Sequence, residues 1–167
     1  MKYLFFLIII ALTSCKQQYF IVVRHAEKAA VPPGASKAEA SDPPLSEQGQ
    51  ARAARLATIL RHKPIGYIYS TTYKRTTQTV TPISELLSIP ITTYPAASDS
   101  MDAFIARVKK LKAKAILIAG HSNTIDDIAN KLAEKKVVDG DLPETEYDNI
   151  FVIRRKGNNL KFIRKKY

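Results

Sequence analysis

The sequence predicts an α/β fold, a three-layer α/β/α sandwich whose mostly parallel sheet carries an antiparallel C-terminal hairpin at one edge. Three observations support this prediction. Apolar runs alternate with longer amphipathic segments along the chain. The apolar runs are continuous, which is typical of parallel strands that are buried on both faces. Two β-prone runs near the C-terminus flank Gly157-Asn158-Asn159, a turn sequence typical of a hairpin.

The predicted strands are short and rich in β-branched and aromatic residues. Four of them precede helical segments, so we expect these four to be parallel and joined by right-handed crossovers. Two more lie on either side of the C-terminal turn. The predicted strands are Tyr19–Val23, Ile65–Ser70, Ile89–Tyr94, Ala115–Gly120 and the two arms of Asn149–Tyr167.

Four helices are predicted from apolar residues at helical spacing. Ser46 is the expected N-cap of the first helix, which should bury Ile59 together with two leucines. Pro82 lies inside the second helix and should produce a kink, or a restart at Thr81. The predicted helices are Ser46–Arg61, Tyr73–Leu87, Met101–Lys112 and one that begins at Ser122 or Asn123. The proline-rich segment Ala30–Pro44 is predicted to be a loop.

Length and composition indicate one globular domain. The chain has 167 residues, of which 46% are hydrophobic and 25% are charged, a profile typical of folded proteins. We predict a single domain over residues 18–167 and expect it to act as a monomer. The formal net charge of +11 predicts an anionic substrate or partner, although a basic surface that only keeps the protein soluble fits the charge equally well.

The first 15 residues are typical of an export signal. Lys2 precedes the apolar run Leu4–Leu12, which is too short to cross a bilayer as a helix. The tetrapeptide that ends at Cys15, the only cysteine, resembles a bacterial lipobox. We therefore expect residues 1–15 to be a lipoprotein signal with Cys15 as the lipidation site, and the protein to be exported and anchored to a membrane on its periplasmic or extracellular side. The alternative is a hydrophobic N-terminal element with a buried free cysteine.

Chemically capable side chains follow three of the predicted strands. Arg24-His25 follow the first strand, Arg75 lies just after the second, and Gly120-His121 lie at the end of the fourth. Because ligands bind at the carboxyl ends of parallel strands, two histidines and two arginines should meet at one edge of the sheet. No carboxylate cluster accompanies them in the sequence, so we expect no metal ion, and no glycine-rich loop predicts a nucleotide cofactor.

These motifs resemble those of the histidine phosphatase superfamily, the phosphoglycerate-mutase-like fold. Arg24-His25-Ala26 is similar to the family's Arg-His-Gly tripeptide, with alanine in place of glycine. Three further segments resemble family motifs in the expected order, and the resemblance runs from Tyr19 to Ala133. They are "LSEQGQARA" (Leu45–Ala53), "YSTTYKRTTQT" (Tyr69–Thr79) and "GHSN" (Gly120–Asn123).

The resemblance implies a phosphatase that hydrolyses a phosphate monoester, or another phosphoryl group, through a phosphohistidine on His25. Arg24 and Arg75 would each present a fork of N–H donors to the phosphate. His121 would donate a hydrogen bond to the transferring group, and Ser122-Asn123 would add backbone N–H donors at a helix start. The substrate would be a phosphorylated small molecule, and the reaction would need no metal.

The proton donor for the leaving group is the least defined part of the predicted site. Larger members of the family have a glutamate after the third strand, where this chain has Tyr94–Asp102 and no glutamate. Asp99 is the nearest acidic substitute, and Glu27, beside the nucleophile, is the other candidate. A leaving group that is already stable, as in phosphohistidine or an acyl phosphate, would depend less on protonation by an acid. The small bacterial phosphohistidine phosphatases of the family are similar in length, but the predicted export argues against a cytosolic phosphoprotein substrate.

Two other functions fit parts of the sequence. The basic clusters "RRK" and "RKK" near the C-terminus fit a protein that binds nucleic acid or an anionic envelope polymer. They equally fit the solvated face of an edge strand, and we expect no nucleic-acid partner. The second alternative is a catalytically silent relative that only binds phosphate. Ala26 and the missing glutamate favour it, because a Cβ would strain a backbone conformation open mainly to glycine.

Three other segments are assigned less specific roles. His62 lies at a predicted helix C-terminus, where a cation is favourable, and is interpreted as structural or solvated. The loop Ala30–Pro44 and the segment Tyr147–Asn149 are expected to frame the pocket. Neither of them identifies a substrate.

Overall fold

A computed structural model describes residues 17–167, which form a six-stranded sheet with helices on both faces. The predicted signal segment and Cys15 lie outside the described residues. None of the helices in residues 17–167 is long and apolar enough to span a membrane. The strands are β1 Gln17–Arg24, β2 Ile65–Ser70, β3 Ile91–Thr93, β4 Ala115–Gly120, β5 Asn149–Lys156 and β6 Asn159–Lys166; the helices are α1 Lys37–Ser41, α2 Glu47–Leu60, α3 Lys74–Leu87, α4 Ser98–Lys110 and α5 Ile125–Ala133.

The strand order in the sheet is β3-β2-β4-β1-β5-β6. The first four strands in this order are parallel, β5 runs antiparallel to β1, and β6 pairs with β5 at the edge. A tight turn joins β5 to β6, and Gly157 in this turn has a φ of +58°, a conformation that favours glycine. The predicted α/β sandwich with an antiparallel C-terminal hairpin is confirmed.

Strands β1 and β4 lie side by side at the centre of the sheet, and their register positions two histidines. Arg24 pairs with Gly120, and the backbone N–H of His25 donates to the Gly120 carbonyl at 2.9 Å. His25 and His121 each follow one of these strands, so both lie where the parallel strands end. We call this end of the sheet the carboxyl edge and the opposite end the amino edge.

Alternate residues of β1 pack into two separate cores. Phe20 and Val22 pack with side chains of α4 and α5 on one face, whereas Ile21 and Val23 pack with α2 and α3 on the other. All four side chains are buried. Because successive side chains of a strand point to opposite faces, a strand covered on both sides needs the continuous apolar run that the sequence shows.

The structure corrects the predicted loop and the start of the last helix. Residues 37–41 of the loop form the short helix α1, which is stabilised because Ser36 and Glu39 form a capping box at its N-terminus. Helix α5 begins at Ile125 rather than at Ser122-Asn123, because residues 122–124 form a turn.

Other details of the predicted elements differ from the structure. Strand β3 begins two residues later than predicted, and α4 begins three residues earlier, at Ser98. Helix α3 continues through Pro82, so of the two predicted outcomes the restart at Thr81 is excluded, and the kink stays a prediction. Ile59 was predicted to be buried with the leucines of α2, but it is 44% exposed because it lies outside the face that packs on the sheet.

Gly49 in the first turn of α2 is required by a close backbone approach. A Cβ at this position would lie 2.2 Å from the carbonyl oxygen of Glu27. That carbonyl cannot move freely, because it accepts a hydrogen bond from the Ser46 N–H at 2.9 Å. We expect Gly49→Ala to lower the free energy of unfolding by on the order of 2 kcal/mol through overpacking, as measured by urea unfolding. Gln50→Ala, at an exposed position of the same turn, is the control, and equal stability of the two variants would contradict this account.

Candidate functional site

A polar cleft of about 290 Å³ opens at the carboxyl edge of the sheet. It lies where the central parallel strands end, the position at which open α/β sheets bind ligands. The structure thus brings together the four side chains that the sequence singled out. The cleft is lined by Arg24, His25, Lys28, Tyr73, Arg75, Ala96, His121, Ser122, Asn123, Thr124 and Glu144.

His25 is buried and held in one tautomer. Its Nδ1 lies 2.7 Å from the carbonyl oxygen of Ala26, and because a carbonyl can only accept, Nδ1 carries the proton. The other ring nitrogen, Nε2, therefore keeps its lone pair on a ring that lines the cleft. Burial, opposed by the Ala26 hydrogen bond and assisted by the charge of Arg24, lowers the pKa of His25 from 6.5 to about 3. His25 is thus a neutral imidazole with a free nucleophilic nitrogen at physiological pH.

His121 is the first member of a chain of hydrogen bonds whose directions are all determined. Its Nδ1 faces Nη2 of Arg75 at 3.5 Å, and a guanidinium can only donate, so Nδ1 is unprotonated. The proton is then on Nε2, which donates to the hydroxyl of Thr71 at 3.0 Å. The Thr71 hydroxyl in turn donates to that of Thr76 at 2.6 Å, and Thr76 donates to the Tyr73 carbonyl at 2.8 Å. This chain fixes the orientation of the imidazole.

The protonation of His121 in the free protein differs from the predicted role of a hydrogen-bond donor to the transferring group. Burial, assisted by the charges of Arg75 and Arg24, lowers the pKa of His121 to about 4. The neutral ring therefore presents an acceptor, Nδ1, towards Arg75. It becomes a donor on that side only when Nδ1 takes up a proton, which an anion placed between Arg75 and His121 would favour.

Arg75 lies across the mouth of the cleft. Its guanidinium stacks 4.4 Å above the ring of Tyr73, and its Nη1 lies 3.8 Å from a carboxylate oxygen of Asp42. Its contacts with His121 and with the Ser41 carbonyl are long, at 3.5 and 3.4 Å. Long contacts of this kind leave the guanidinium able to turn towards an incoming anion.

Arg24 is almost completely buried, and its terminal nitrogens already have protein acceptors. Nη1 donates to the carbonyls of Pro143 and Glu146 at 2.8 and 3.2 Å. Nη2 donates to the Glu144 carboxylate at 2.9 Å, and the guanidinium lies 4.2 Å from the centre of the Tyr147 ring. The buried Nε has no partner among the described residues. Three of the five N–H groups of Arg24 are therefore already bound, which leaves the Nε–H and the second N–H of Nη2 to donate to a phosphate.

Glu144 is a functional residue that the sequence analysis did not identify. Its carboxylate bridges Arg24 and the Ser122 hydroxyl at 2.9 and 3.0 Å, although its side chain is 69% exposed. Partial burial raises the pKa of Glu144, but the charge of Arg24 and the Ser122 hydrogen bond outweigh it and hold the pKa below its usual value. An ionised carboxylate thus occupies part of a cationic cleft. Only the predicted framing role of Tyr147 pointed to this loop.

Removing the charge of Glu144 should strengthen the binding of inorganic phosphate. Glu144→Gln keeps the hydrogen bonds to Arg24 and Ser122 but no longer repels an anion, so we expect phosphate to bind about 3- to 10-fold more tightly at low salt. Titration calorimetry in low and high salt measures the effect, which should shrink as salt increases. Glu47→Gln, an exposed carboxylate that does not line the cleft, is the matched control. Unchanged or weaker phosphate binding by Glu144→Gln would show that the Glu144 carboxylate does not oppose the binding of an anion.

Ala26 is not strained, contrary to the argument for a silent relative. The non-glycine residues with positive φ in residues 17–167 are Ser88 and Glu134, and Ala26 is not among them. Its methyl group is buried against Leu45 and Ala53, and its N–H donates to the Thr79 hydroxyl at 2.9 Å. The alanine therefore fills a small apolar gap behind the nucleophile, and the strain argument for inactivity was wrong.

The two candidate acids of the sequence analysis lie in different surroundings. The Glu27 carboxylate forms a bidentate ion pair with Arg52, with contacts of 2.6 to 2.9 Å. Burial raises the pKa of Glu27, but Arg52 outweighs it and holds the pKa below its usual value. This pairing, outside the cleft, argues against Glu27 as the acid. Asp99 lies in the first turn of α4, and its role as the acid stays a prediction.

Ser122-Asn123 and His62 complete the set of predicted residues. Ser122 and Asn123 line the cleft from the turn before α5 rather than from the helix itself. His62 is exposed and accepts a hydrogen bond from Arg61 at 2.9 Å, away from the cleft, in agreement with a solvated role. Within residues 17–167, no group of three or more His, Cys, Asp or Glu side chains is arranged to hold a metal ion.

The lowered pKa values of the two cleft histidines make stability depend on pH. Between pH 6.5 and about 4 the unfolded chain binds protons at both histidines and the folded chain does not, so stability falls as the pH is lowered. Each histidine contributes a slope of about 1.4 kcal/mol per pH unit in that window. We expect His25→Asn to reduce the measured slope by about that amount. Urea unfolding at several pH values measures the slopes, and equal slopes for wild type and His25→Asn would show that His25 is not buried in its neutral form.

The sequence profile of the histidine phosphatase superfamily, branch 1, matches residues 20–100. These residues include Arg24, His25 and Arg75, and the match ends before His121. A search of curated proteins found no significant match.

Solved structures with the same fold cover most of the chain. A SixA-type protein from Agrobacterium tumefaciens is 21% identical with a TM-score of 0.63, and the match covers 90% of this chain and 99% of that one. The protein histidine phosphatase SixA in complex with tungstate is 16% identical with a TM-score of 0.68, covering 89% and 97%. Phosphoglycerate mutase from Plasmodium falciparum is 13% identical with a TM-score of 0.60, covering 91% of each chain. At these identities the likeness shows a common fold.

Proposed function

Because the chain belongs to the histidine phosphatase superfamily, we propose that it is a phosphatase that works through a transient phosphohistidine on His25. One observation carries the proposal. The Nδ1–H of His25 donates to the Ala26 carbonyl at 2.7 Å, which leaves an unprotonated Nε2 in a cleft that also contains Arg24, Arg75 and His121. A neutral, oriented imidazole among cations is what in-line attack on a phosphoryl group requires.

The reaction has two displacement steps. In the first, the Nε2 lone pair of His25 forms a bond to phosphorus while the bond between phosphorus and the leaving group breaks, and the leaving group takes the electron pair. In the second, water attacks the phosphorus of phosphohistidine, the P–N bond breaks, and the electron pair returns to Nε2. Both protons of the water leave with the inorganic phosphate, and His25 returns to its neutral form. Nδ1 donates to Ala26 throughout, which stabilises the ring as charge develops on it.

Arg75 and His121 stabilise the phosphoryl oxygens in both steps. The loosely held guanidinium of Arg75 turns from His121 to the anion, and the anion raises the pKa of His121 so that Nδ1 takes up a proton and donates it to a phosphoryl oxygen as a hydrogen bond. The Thr71 and Thr76 hydroxyls keep the imidazole in place while this happens. The predicted donor role of His121 is thus restricted to the substrate-bound state.

The leaving group that this cleft suits best is one that is stable without a strong acid. Glu27 is paired with Arg52, and Glu144 is ionised beside Arg24. We therefore expect an acyl phosphate, a phosphoramidate or an aryl phosphate to react faster than a simple alkyl phosphate. The occurrence of a protein histidine phosphatase among the structural relatives agrees with a good leaving group, and we propose that the reaction needs no added metal.

Turnover of a defined substrate panel tests the proposal. Purified protein is assayed with acetyl phosphate, an aryl phosphate and an alkyl phosphate, with and without EDTA, and with tungstate as a tetrahedral oxyanion that should compete for the cleft. We expect turnover that is highest for acetyl phosphate, is unaffected by EDTA and is inhibited by tungstate. No turnover of any of them, with tungstate still bound, would identify a phosphate-binding relative instead. Loss of activity in EDTA and recovery with a divalent metal would refute the metal-free mechanism, and net phosphoryl transfer between acceptors would indicate a mutase.

A further inference from the structure

The amino edge of the sheet is formed by strand ends that are close together although they are far apart in sequence. Gln17, the first residue of β1, pairs with Lys156, the last residue of β5. Tyr19 and Ile65 both pair with Ala115 at the start of β4. The segments leading into β2 and β4, and the turn between β5 and β6, therefore meet at this edge.

These segments carry a dense group of basic side chains, which we call the basic edge. Most of its side chains are exposed, and within residues 17–167 none of them is in an ion pair with a carboxylate. Arg155 is held instead by the Gln18 side chain and the Lys109 carbonyl. The basic edge consists of Arg61, Lys63, Lys110, Lys112, Lys114, Arg154, Arg155, Lys156 and Lys161.

Most carboxylates that form ion pairs lie at the other end of the sheet. Most ion pairs of the described residues involve acids in the loops of the carboxyl edge, among them Glu27, Asp42, Glu144, Glu146 and Asp148. At the end of α5, Glu134 is already paired with Lys109. Glu134 also acts on Arg155, and exposed Glu85 lies near the end of α3, but the nine basic side chains outnumber these two acids. The amino edge is therefore positively charged and attracts a polyanion or an anionic surface.

Gln17, the first residue that the structure describes, lies at the amino edge. Cys15 precedes Gln17 by two residues, so the chain between them can span at most about 7 Å. A lipid attached to Cys15 would hold the amino edge against a bilayer whatever the conformation of the intervening residues. The charge of the basic edge and the predicted tether at Cys15 thus point to the same surface, and the two arguments are independent of each other.

We propose that the basic edge is a docking surface for a bilayer with anionic headgroups, and that it works together with a lipid anchor on Cys15. Basic residues near an anionic bilayer each add attraction, and an anchor that is reinforced by such a patch holds more firmly than either alone. Strand β1 has eight residues and places His25 about 25 Å from the amino edge. The cleft then faces away from the membrane and receives soluble phosphorylated compounds rather than the headgroups of the lipids beneath it.

A membrane fits better than a nucleic acid because of what precedes the domain. The apolar run Leu4–Leu12 and Cys15 precede β1, whose first residue lies at the amino edge, and they are typical of export to a membrane rather than of contact with a nucleic acid. Competition between DNA and vesicles for the same protein tests directly which of the two partners the basic edge binds.

Vesicle cosedimentation with residues 17–167 tests the surface without the anchor. This unit can be studied alone, because it holds the whole six-stranded sheet and both cores, and 90% of this chain matches 99% of a solved SixA-type chain. The test variant reverses three exposed charges of the basic edge, Lys114→Glu, Lys156→Glu and Lys161→Glu. The control reverses three exposed lysines near the carboxyl edge: Lys37, Lys74 and Lys165. Circular dichroism and thermal unfolding show that both variants fold.

We expect the unmodified domain to bind phosphatidylcholine vesicles that contain about one third phosphatidylglycerol, and not pure phosphatidylcholine. The basic-edge variant should bind at least roughly tenfold more weakly, while the control with the same net charge stays within about twofold of the unmodified domain. An equal loss of vesicle binding in both variants would overturn the proposal, and so would binding that does not depend on the anionic lipid. So would duplex DNA that strips the protein from the vesicles at matched phosphate concentration, since the surface would then prefer nucleic acid.

Orientation is measured on the vesicle-bound domain with single fluorescent labels, because residues 17–167 contain no cysteine of their own. A label at Asn158→Cys, in the hairpin turn of the amino edge, should be quenched by nitroxide-labelled headgroups. A label at Ala38→Cys, in α1 beside the cleft, should not be quenched. Quenching of Ala38→Cys in preference to Asn158→Cys would show that the cleft faces the membrane and would overturn the proposed orientation.

Discussion

Replacing His25 with alanine is expected to abolish phosphatase turnover, by a factor of at least about 10⁴. The expectation follows from the tautomer, since Nε2 of His25 is the nitrogen that keeps a lone pair in the cleft while its Nδ1–H is held by the Ala26 carbonyl. His121 cannot replace it as the nucleophile. Its Nε2–H donates to the Thr71 hydroxyl, and its Nδ1 faces the guanidinium of Arg75. Steady-state turnover of acetyl phosphate measures the loss.

His62→Ala is the matched control for His25→Ala, because His62 is exposed and lies away from the cleft. It should keep wild-type turnover. Phosphate binding gives a second readout, since His25→Ala should still bind inorganic phosphate through the arginines. Turnover by His25→Ala within tenfold of wild type would mean that the chemistry does not pass through this residue.

His121→Ala should lower kcat by on the order of 10²–10³ and change KM much less. We expect the hydrogen bond from the protonated imidazole to be stronger to the phosphoryl group during transfer than to the bound substrate, and such an interaction raises kcat more than it lowers KM. Thr71→Val is the companion variant, because it removes the hydroxyl that accepts from Nε2 and leaves the imidazole in place. It should produce a smaller loss of kcat, since only the orientation of His121 is disturbed.

A different pattern would assign His121 another role. A large increase in KM with little change in kcat would show that His121 binds substrate and transition state equally. A loss in Thr71→Val as large as that in His121→Ala would show that the hydroxyl chain carries the function of the imidazole.

The site residues that the sequence could predict are those whose positions follow from strand ends. Arg24, His25 and His121 each lie at the end of a central apolar run, and parallel strands bring such ends to one edge regardless of the detailed packing. The hydrogen-bond directions within the site were not predictable. They depend on the Thr71 and Thr76 side chains, which sequence patterns describe only as ordinary polar residues before and inside a helix.

Sequence patterns could not predict the contacts of the loop before β5, for a physical reason. Glu144 reaches Arg24 across 120 positions of the chain, and no periodicity or local motif encodes such a contact. The helix α1 was missed because prolines and a glycine surround it, and its capping box between Ser36 and Glu39 is a short signal within a segment typical of loops. The strain predicted at Ala26 is absent because its φ is not positive, so the backbone at this position accepts alanine as well as glycine.

The central claim is that the phosphoryl group is transferred to Nε2 of His25, and mass spectrometry of the protein quenched during turnover tests it most directly. The reaction with acetyl phosphate is stopped without acid, because a phosphoramidate is lost at low pH, and the modified residue is located by fragmentation. Our account predicts a phosphoryl group on His25 in the wild type and none in His25→Ala. A phosphoryl group on His121, or active protein that never carries one on any histidine, would contradict it.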